Sequence, residues 1–388
     1  MTKNTVLLNN LKFVDEQDHF TPGWICVEGN KIRSLGPGQP KKFDADAGIT
    51  LDCQGLTVLP GFIDLHTHGA KGIEALGMTA PELQELTRFY ASHGVTGFLV
   101  SPWTAPRELI RESIEVTRSV MGNEIGSKIL GIHLEGPWLN EVFAGAQARE
   151  LIRPALREEA LEYINSGLVR LIAVAPEIPE NEWIITECAR RGITVSAGHT
   201  NATYEQMKKA VSLGVTQVTH CFNAMRPLNH REPGVVGAAF DLPQIRCELI
   251  CDNIHVNPVV QKLLVNVKGS DAIILITDSM SAAGMPDGDY TFEGAAVTVK
   301  DGAARLSDGT LAGSTLTFER GLANIVKASG RPLGEMVKCA SLNPARALRM
   351  EDHKGQLLKG WDADLVLVDQ NLHVKLTMAE GKVVFKQF

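Results

Sequence analysis

The sequence predicts an α/β protein: a TIM-like (β/α)8 barrel with a small β-sandwich domain built from both chain termini. Three observations point there. Eight apolar, strand-like runs alternate with amphipathic helical stretches through the middle of the chain. Both ends are rich in β-formers and broken by Gly, Asn and Pro. Most of the apolar runs also end in His, Glu or Asp, and the C-terminal strand ends of a barrel all meet on one face. The expected division assigns 1–56 and 354–388 to the sandwich and 57–353 to the barrel.

Taken in order, TVLLNNLKFVD, GWICVEGNKIRSLG and GITLDCQG read as short strands and turns. KGQLLKGWDADLVLVDQ and HVKLTMAEGKVVFKQF at the other end look alike. The barrel runs are TVLPGFIDLHTHG, VTGFLVS, SKILGIHLEGP, LVRLIAVAPE, ITVSAGHT, VTQVTHCFNAM, IRCELICDNIHV and AIILITDSM. Strands this continuously apolar belong to a parallel sheet covered on both faces. Between them lie helical stretches such as PELQELTRFYASHG, RELIRESIEVTRSVM, NEWIITECARRG and YEQMKKAVSLG, several ending in the Gly that a helix C-terminus prefers. Eight such units favour a closed barrel over an open sheet. Two segments break the rhythm: a polar insertion at 138–160 and a β-hairpin excursion at 284–313. Long loops on this face of a barrel usually serve the active site.

At 388 residues, 44% hydrophobic and 21% charged, the chain can bury a large core. The net charge of -7 argues against nucleic acid or an anionic membrane as partner, although a local basic pocket could still take a phosphorylated small molecule. The seven cysteines are odd in number and scattered without a CxxC pair, so reduced, buried thiols are expected. No window approaches a membrane span and the N-terminus lacks a signal-like apolar stretch, which places the protein in the cytoplasm.

The chemistry is read from the strand ends. The first run ends in His66 and His68, the third in Glu135, the fifth in His199, the sixth in His220, the seventh in His255 and the eighth in Asp278. A lone His at a strand end is more often structural, but six of eight runs ending this way, in a chain with 11 His, is a pattern. His66 and His68, one residue apart on a strand, point the same way. Imidazole nitrogen with carboxylate oxygen suits Zn²⁺, Fe²⁺ or Mn²⁺, and a site that keeps a position open for water is catalytic. Bound water is thereby acidified toward neutral pH, and Asp278 can take its proton and pass it to a leaving amine.

With these residues in hand, PGFIDLHTHG is similar to the opening strand of the amidohydrolase superfamily. HLEGPWLNEVFAGAQ, SAGHTNA, THCFNAMRPLNHREPGVVG, ICDNIHV, ITDSMSAAGMPDG and LSDGTLAGS together resemble the N-acetylglucosamine-6-phosphate deacetylase family, from about residue 5 to the C-terminus. The resemblance implies hydrolysis of N-acetyl-D-glucosamine 6-phosphate to glucosamine 6-phosphate and acetate, by a homodimer. It implies metal ligands at Glu135, His199 and His220 and a catalytic acid/base at Asp278. It implies substrate contacts at Ala146, Asn223, Ala224, Arg231, His255 and Leu311-Ala312-Gly313. Backbone N–H groups near Asn223 and Ala224, with Arg231 and His255, could bind a sugar phosphate. Some members lack the His pair; here His66 and His68 imply a second ion sharing Glu135 and using Asp278. The cofactor is one or two divalent cations per subunit, Zn²⁺ or Fe²⁺ foremost, with Mn²⁺ or Co²⁺ as alternatives. Some members carry His where this chain has Gln147, whose amide can hydrogen-bond a substrate but carry no charge.

The alternatives are deacetylation of the galactosamine epimer, a cyclic amidase, a deaminase, and a non-catalytic scaffold. A cyclic amidase usually bridges its metals with a Lys on the fourth strand, and LVRLIAVAPE has none. A scaffold would lose the ligands, and all are present.

Overall fold

The computed structural model describes residues 5–40, 48–292 and 294–388. The remainder of the expected 1–56 unit, residues 1–4 and 41–47, lies outside the described residues. Eight parallel strands run in sequential order: Phe62–Asp64, Val95–Val100, Lys128–Glu135, Val169–Val174, Thr194–Ala197, Gln217–Val218, Arg246–Ile250 and Ile273–Ile276. The last meets the first through the Asp278 N–H, which donates to the His66 carbonyl at 2.8 Å, and through a parallel bridge between Thr67 and Ser279. The ring is therefore a closed (β/α)8 barrel.

Alternation along the strands sorts two cores. Phe62, Phe98, Ile132, Leu134, Ile172, Leu249 and Leu275 join the cluster that packs under the surrounding helices. Ile63, Leu99, Leu130, Leu171, Ile250, Ile274 and Ile276 form a separate cluster with Ala345, Ala347 and Leu348. This second cluster is the apolar floor of the barrel interior, and each such side chain contributes roughly 1.5–3 kcal/mol by leaving water. The helices are set by local signals. Ala80–Ser92 and Tyr204–Leu213 each begin with a capping box, Thr79 with Glu82 and Thr203 with Gln206. Among the described residues no helix is long and apolar enough to cross a membrane.

The termini build one eight-stranded mixed sheet, in which Thr5–Val14 pairs with Phe20–Glu28 and Leu365–Val368 pairs with Val374–Ala379. Leu8, Ile25, Val27, Leu365, Leu367, Leu376 and Met378 share one core, so the sheet curls about its own apolar face. Thr57–Pro60 belongs to this sheet, antiparallel to Leu365–Val368, and not to the barrel at whose start the sequence places it. The apolar run divides at Pro60-Gly61. The Gly61 N–H donates to the Asp364 carbonyl at 3.0 Å, and a Cβ there would lie 2.3 Å from the Thr96 side chain.

The two irregular segments also differ in detail from expectation. The excursion is a three-stranded meander, Gly288–Phe292, Ala295–Lys300 and Ala303–Leu306, not a simple hairpin. Its second turn is Asp301-Gly302, both at positive φ, the Asp-Gly turn that matches strand twist. The insertion is polar only in part: it opens on fully buried Trp138 and continues through short turns at Glu141–Phe143 and Arg149–Leu151.

Candidate metal centre

Each candidate ligand sits at or just beyond a barrel strand. Glu135 is the last residue of Lys128–Glu135, and its N–H donates to the Pro102 carbonyl at 3.0 Å. His199, His220 and Asp278 lie two residues past their strands, with φ of 46°, 30° and 50°. Such left-handed backbone in a non-glycine residue costs on the order of 1–3 kcal/mol and gathers at functional sites. The strain is held by hydrogen bonds from surrounding loops: Asn140 and Asn223 N–H donate to the His199 and His220 carbonyls at 2.9 and 3.0 Å, and Ser314 N–H donates to the Asp278 carbonyl at 2.7 Å.

Six side chains converge. Glu135 Oε1 lies 3.1 Å from His199 Nε2, 3.0 Å from His220 Nε2 and 3.3 Å from His66 Nε2. Glu135 Oε2 lies 3.2 Å from His68 Nε2. Asp278 Oδ1 lies 3.1 Å from His68 Nε2 and 3.7 Å from His66 Nε2. Two groupings of ligand atoms result, His66–His68–Glu135 and Glu135–His199–His220, joined by Glu135. Within each, the two imidazole Nε2 atoms are 3.1 Å apart. Ligands at 2.0–2.1 Å on a tetrahedral ion would stand about 3.3–3.4 Å from each other, so the spacing fits a shared cation.

The tautomers fit as well. His68 Nδ1 is 2.8 Å from the Ser101 carbonyl and His199 Nδ1 2.9 Å from the Phe143 carbonyl, acceptors that take an Nδ1–H. His66 Nδ1 faces Glu248 Oε2 at 3.4 Å. In all three rings the Nε2 lone pair is left to point inward, the arrangement that outer hydrogen bonds impose on metal-binding His.

Burial by itself would discharge His66, His68, Glu135 and Asp278, and the opposite charges override it. Burial opposes the imidazolium of His66, but Glu135 and Asp278 raise its pKa well above the usual value. His68 is raised to about 9 against the same burial by Asp278 and Glu135. Glu135 is held well below the carboxylate range, despite burial, by His66, His199 and His220. Asp278 falls to about 2, again against burial, because of His66 and His68. The negative potential that draws protons onto these rings is the potential that would hold a dication.

The cluster lies in a cavity of about 360 Å³, within the roughly 300–1,000 Å³ of small-molecule clefts. His68, Glu135, His199, His220 and Asp278 line it, and the insertion and the meander supply its walls.

The amidohydrolase family model matches residues 57–384. The chain belongs to the amidohydrolase family. It is 34% identical to an N-acetylglucosamine-6-phosphate deacetylase of Bacillus subtilis, over 98% of this chain and 97% of the relative. It is 35% identical to an N-acetylgalactosamine-6-phosphate deacetylase of Escherichia coli O157:H7, over 84% and 86% of the two chains. Among solved structures, a mutant N-acetyl-D-glucosamine-6-phosphate deacetylase from Mycobacterium smegmatis in complex with N-acetyl-D-glucosamine-6-phosphate superposes with a TM-score of 0.89, at 32% identity and over 100% of both chains. Amidohydrolases are metal-dependent, and the donor set here suits that.

Of the substrate contacts expected from the sequence, this amidohydrolase brings Ala146, Gln147, Asn223, Ala224, His255, Leu311 and Gly313 to the cavity. Two of them are committed to protein partners, and a further expected contact, Ala312, does not line the cavity. The Asn223 N–H and side-chain amide both face carbonyls of the preceding turn, at 3.0 and 3.2 Å from that of His220, so neither donor points at a ligand. Gln147 is committed at both ends: its Oε1 accepts from Thr104 N–H at 3.1 Å and its Nε2 donates to Glu135 Oε2 at 2.9 Å. Ala312 is buried beside the cavity wall, its N–H donating to the Ala304 carbonyl at 3.1 Å.

Arg231 does not line the cavity of this chain. It is exposed, with Nη1 2.8 Å from His230 Nε2, while Glu232 accepts from Tyr204 and Gly234 N–H at 2.9 and 3.1 Å. The arginine that does line it is Arg305, on the meander. Sequence reasoning missed Arg305 because it sits in an exposed-looking Asp-Gly-rich hairpin. It also missed Glu248, whose signal was an acid inside the apolar run RCELIC.

Proposed function

We propose that this amidohydrolase removes the acetyl group of N-acetyl-D-glucosamine 6-phosphate by hydrolysis, giving D-glucosamine 6-phosphate and acetate. The observation that carries it is the convergence of Glu135, His199, His220, His66 and His68 with Asp278 at the base of a sugar-sized cavity. Relatives matched over nearly the whole chain bear that activity in their names. Glu135, His199 and His220 would hold one divalent ion, Zn²⁺ or Fe²⁺ foremost. His66, His68 and Asp278 would hold a second, with Glu135 between them. A divalent ion bound there acidifies water and polarises the acetamide carbonyl.

The chain's own groups do the rest. Asp278, a carboxylate at working pH, takes a proton from the attacking water and delivers it to the amide nitrogen as the C–N bond breaks. Gln147 fixes the orientation of Glu135. Arg305 presents donors to the phosphate, and His255, whose Nδ1 is 2.7 Å from Asp252 Oδ2, turns its other ring nitrogen toward a sugar hydroxyl. Arg231 keeps a phosphate role only if another copy of the chain brings it to the cavity mouth, and the expected homodimer is the assembly that would do so. The seven free, buried thiols support a cytoplasmic setting.

The 35% identity to a galactosamine-6-phosphate deacetylase supports a second reading of the same chemistry on the C4 epimer. Acetate release from both 6-phosphorylated N-acetylhexosamines, with the metal content measured, decides between them. Faster turnover of the gluco epimer is expected. Absence of acetate release from either by fully metallated protein overturns both readings.

A further inference from the structure

His66 is set apart from the other three imidazoles of the centre. The outer nitrogens of His68 and His199 meet neutral main-chain carbonyls, and His220 Nδ1 has no partner among the described residues. Only His66 turns its outer nitrogen toward a carboxylate, Glu248 Oε2, at 3.4 Å.

Glu248 is itself wholly buried. It stands on the strand Arg246–Ile250, between Cys247 and Leu249, which pack outward, so its own side chain enters the barrel. Its other oxygen accepts from Gln217 Nε2 at 2.6 Å. Among the described residues its only ion-pair partner is His66. A buried carboxylate without Lys or Arg is unfavourable unless positive charge is placed nearby. A cation held on the far side of the His66 ring, where Nε2 faces Glu135 and Asp278, would supply that charge. An imidazole that gives its Nδ1–H to a carboxylate becomes a stronger donor at Nε2 and loses rotational freedom.

We propose that Glu248, held by Gln217, is a positioning residue for a second ion: it orients His66 and strengthens its Nε2, so that the His66–His68–Glu135 half retains a cation. This rests on the two-ion reading above. Glu248 does not line the cavity, so it acts on substrate only through His66.

The test is metal content, not turnover alone. Wild type, Glu248→Ala, Glu248→Gln and Gln217→Met are reconstituted with Zn²⁺ alone, and separately with Co²⁺ alone. Stoichiometry and stepwise affinity are then measured against a competing chelator. Wild type is expected to bind two ions. Glu248→Ala should keep one ion at wild-type affinity and bind the second roughly 10–100-fold more weakly. Glu248→Gln, which keeps shape and an acceptor, and Gln217→Met, which frees Glu248, should weaken the same ion by less. The visible spectrum of the Co²⁺ protein should lose the contribution of one ion in Glu248→Ala.

A single ion in wild type defeats the two-ion reading and this proposal with it. Two ions in wild type with unchanged affinities in all three variants overturn the role of Glu248 and leave the two-ion reading standing. Equal weakening of both ions in the variants also overturns it, since Glu248 would then merely support the barrel. Glu248→Gln and Gln217→Met keep the test open if Glu248→Ala does not fold.

Discussion

The two halves of the ligand cluster share Glu135 and differ in almost everything else. His199 and His220 stand on left-handed backbone beyond their strands, both line the cavity, and neither has a charged group at its outer nitrogen. His66 and His68 come from one strand extension with the barrel closure running between them, and of the pair only His68 reaches the cavity. Asp278 faces this half, and Glu248 backs it. One half is shaped by strained loops and open to a ligand. The other is anchored deeper, with His66 out of reach of the cavity, opens to it through His68 and Asp278, and carries the greater share of negative charge. The difference teaches that one metal centre can place exposure and electrostatic depth on opposite sides of a bridging carboxylate.

That contrast can be broken from either side. The largest effect is expected from His199→Ala combined with His220→Ala. It should empty the cavity-facing half and lower acetate release by more than about 1,000-fold, since acidification of water and carbonyl polarisation are both lost. Elemental analysis checks the occupancy, and full retention of metal would falsify the ligand assignment. Asp278→Asn should leave the cavity-facing ion in place while turnover drops at least about 100-fold; near-normal kcat removes Asp278 from the proton transfers. Arg305→Ala sits above both halves and should disturb neither ion. It should raise KM about tenfold for the phosphorylated sugar and leave the unphosphorylated one unchanged, in line with one lost charge-assisted hydrogen bond. Equal shifts for the two sugars reject the phosphate role. The smallest effect belongs to Thr79→Ala, remote from the centre. Losing the capping box of Ala80–Ser92 should cost about 1 kcal/mol in a denaturant titration and leave metal content untouched.

Much of this centre was legible because barrel strands impose a rule: what lies at a strand's C-terminal end faces the same mouth. His66, His68, Glu135, His199, His220 and Asp278 were all found by it. The rule says nothing about residues deeper in a strand, so Glu248 passed as one polar interruption of an apolar run. It says nothing about excursions, so Arg305 stayed hidden, while Arg231, chosen from its motif, lies off the cavity of this chain. Gln147 was placed correctly and given an incomplete task, because the Thr104 N–H that fixes its amide comes from another loop. Even Thr57–Pro60, apolar and next to the first barrel strand, was claimed by the terminal sheet.

By itself the sequence determined the periodicities, namely eight apolar runs, the helices between them with their caps and the β-rich ends, and it named the candidate ligands. These are local properties, set by residue spacing and side-chain chemistry. Only the tertiary structure decided which carboxylate oxygen meets which imidazole, which Nδ1 is tied down, and which arginine sees the cavity. Those outcomes depend on contacts between residues far apart in the chain, such as His66 with Glu248 and Glu135 with His220, whose angstrom-scale geometry exists only once the barrel has closed.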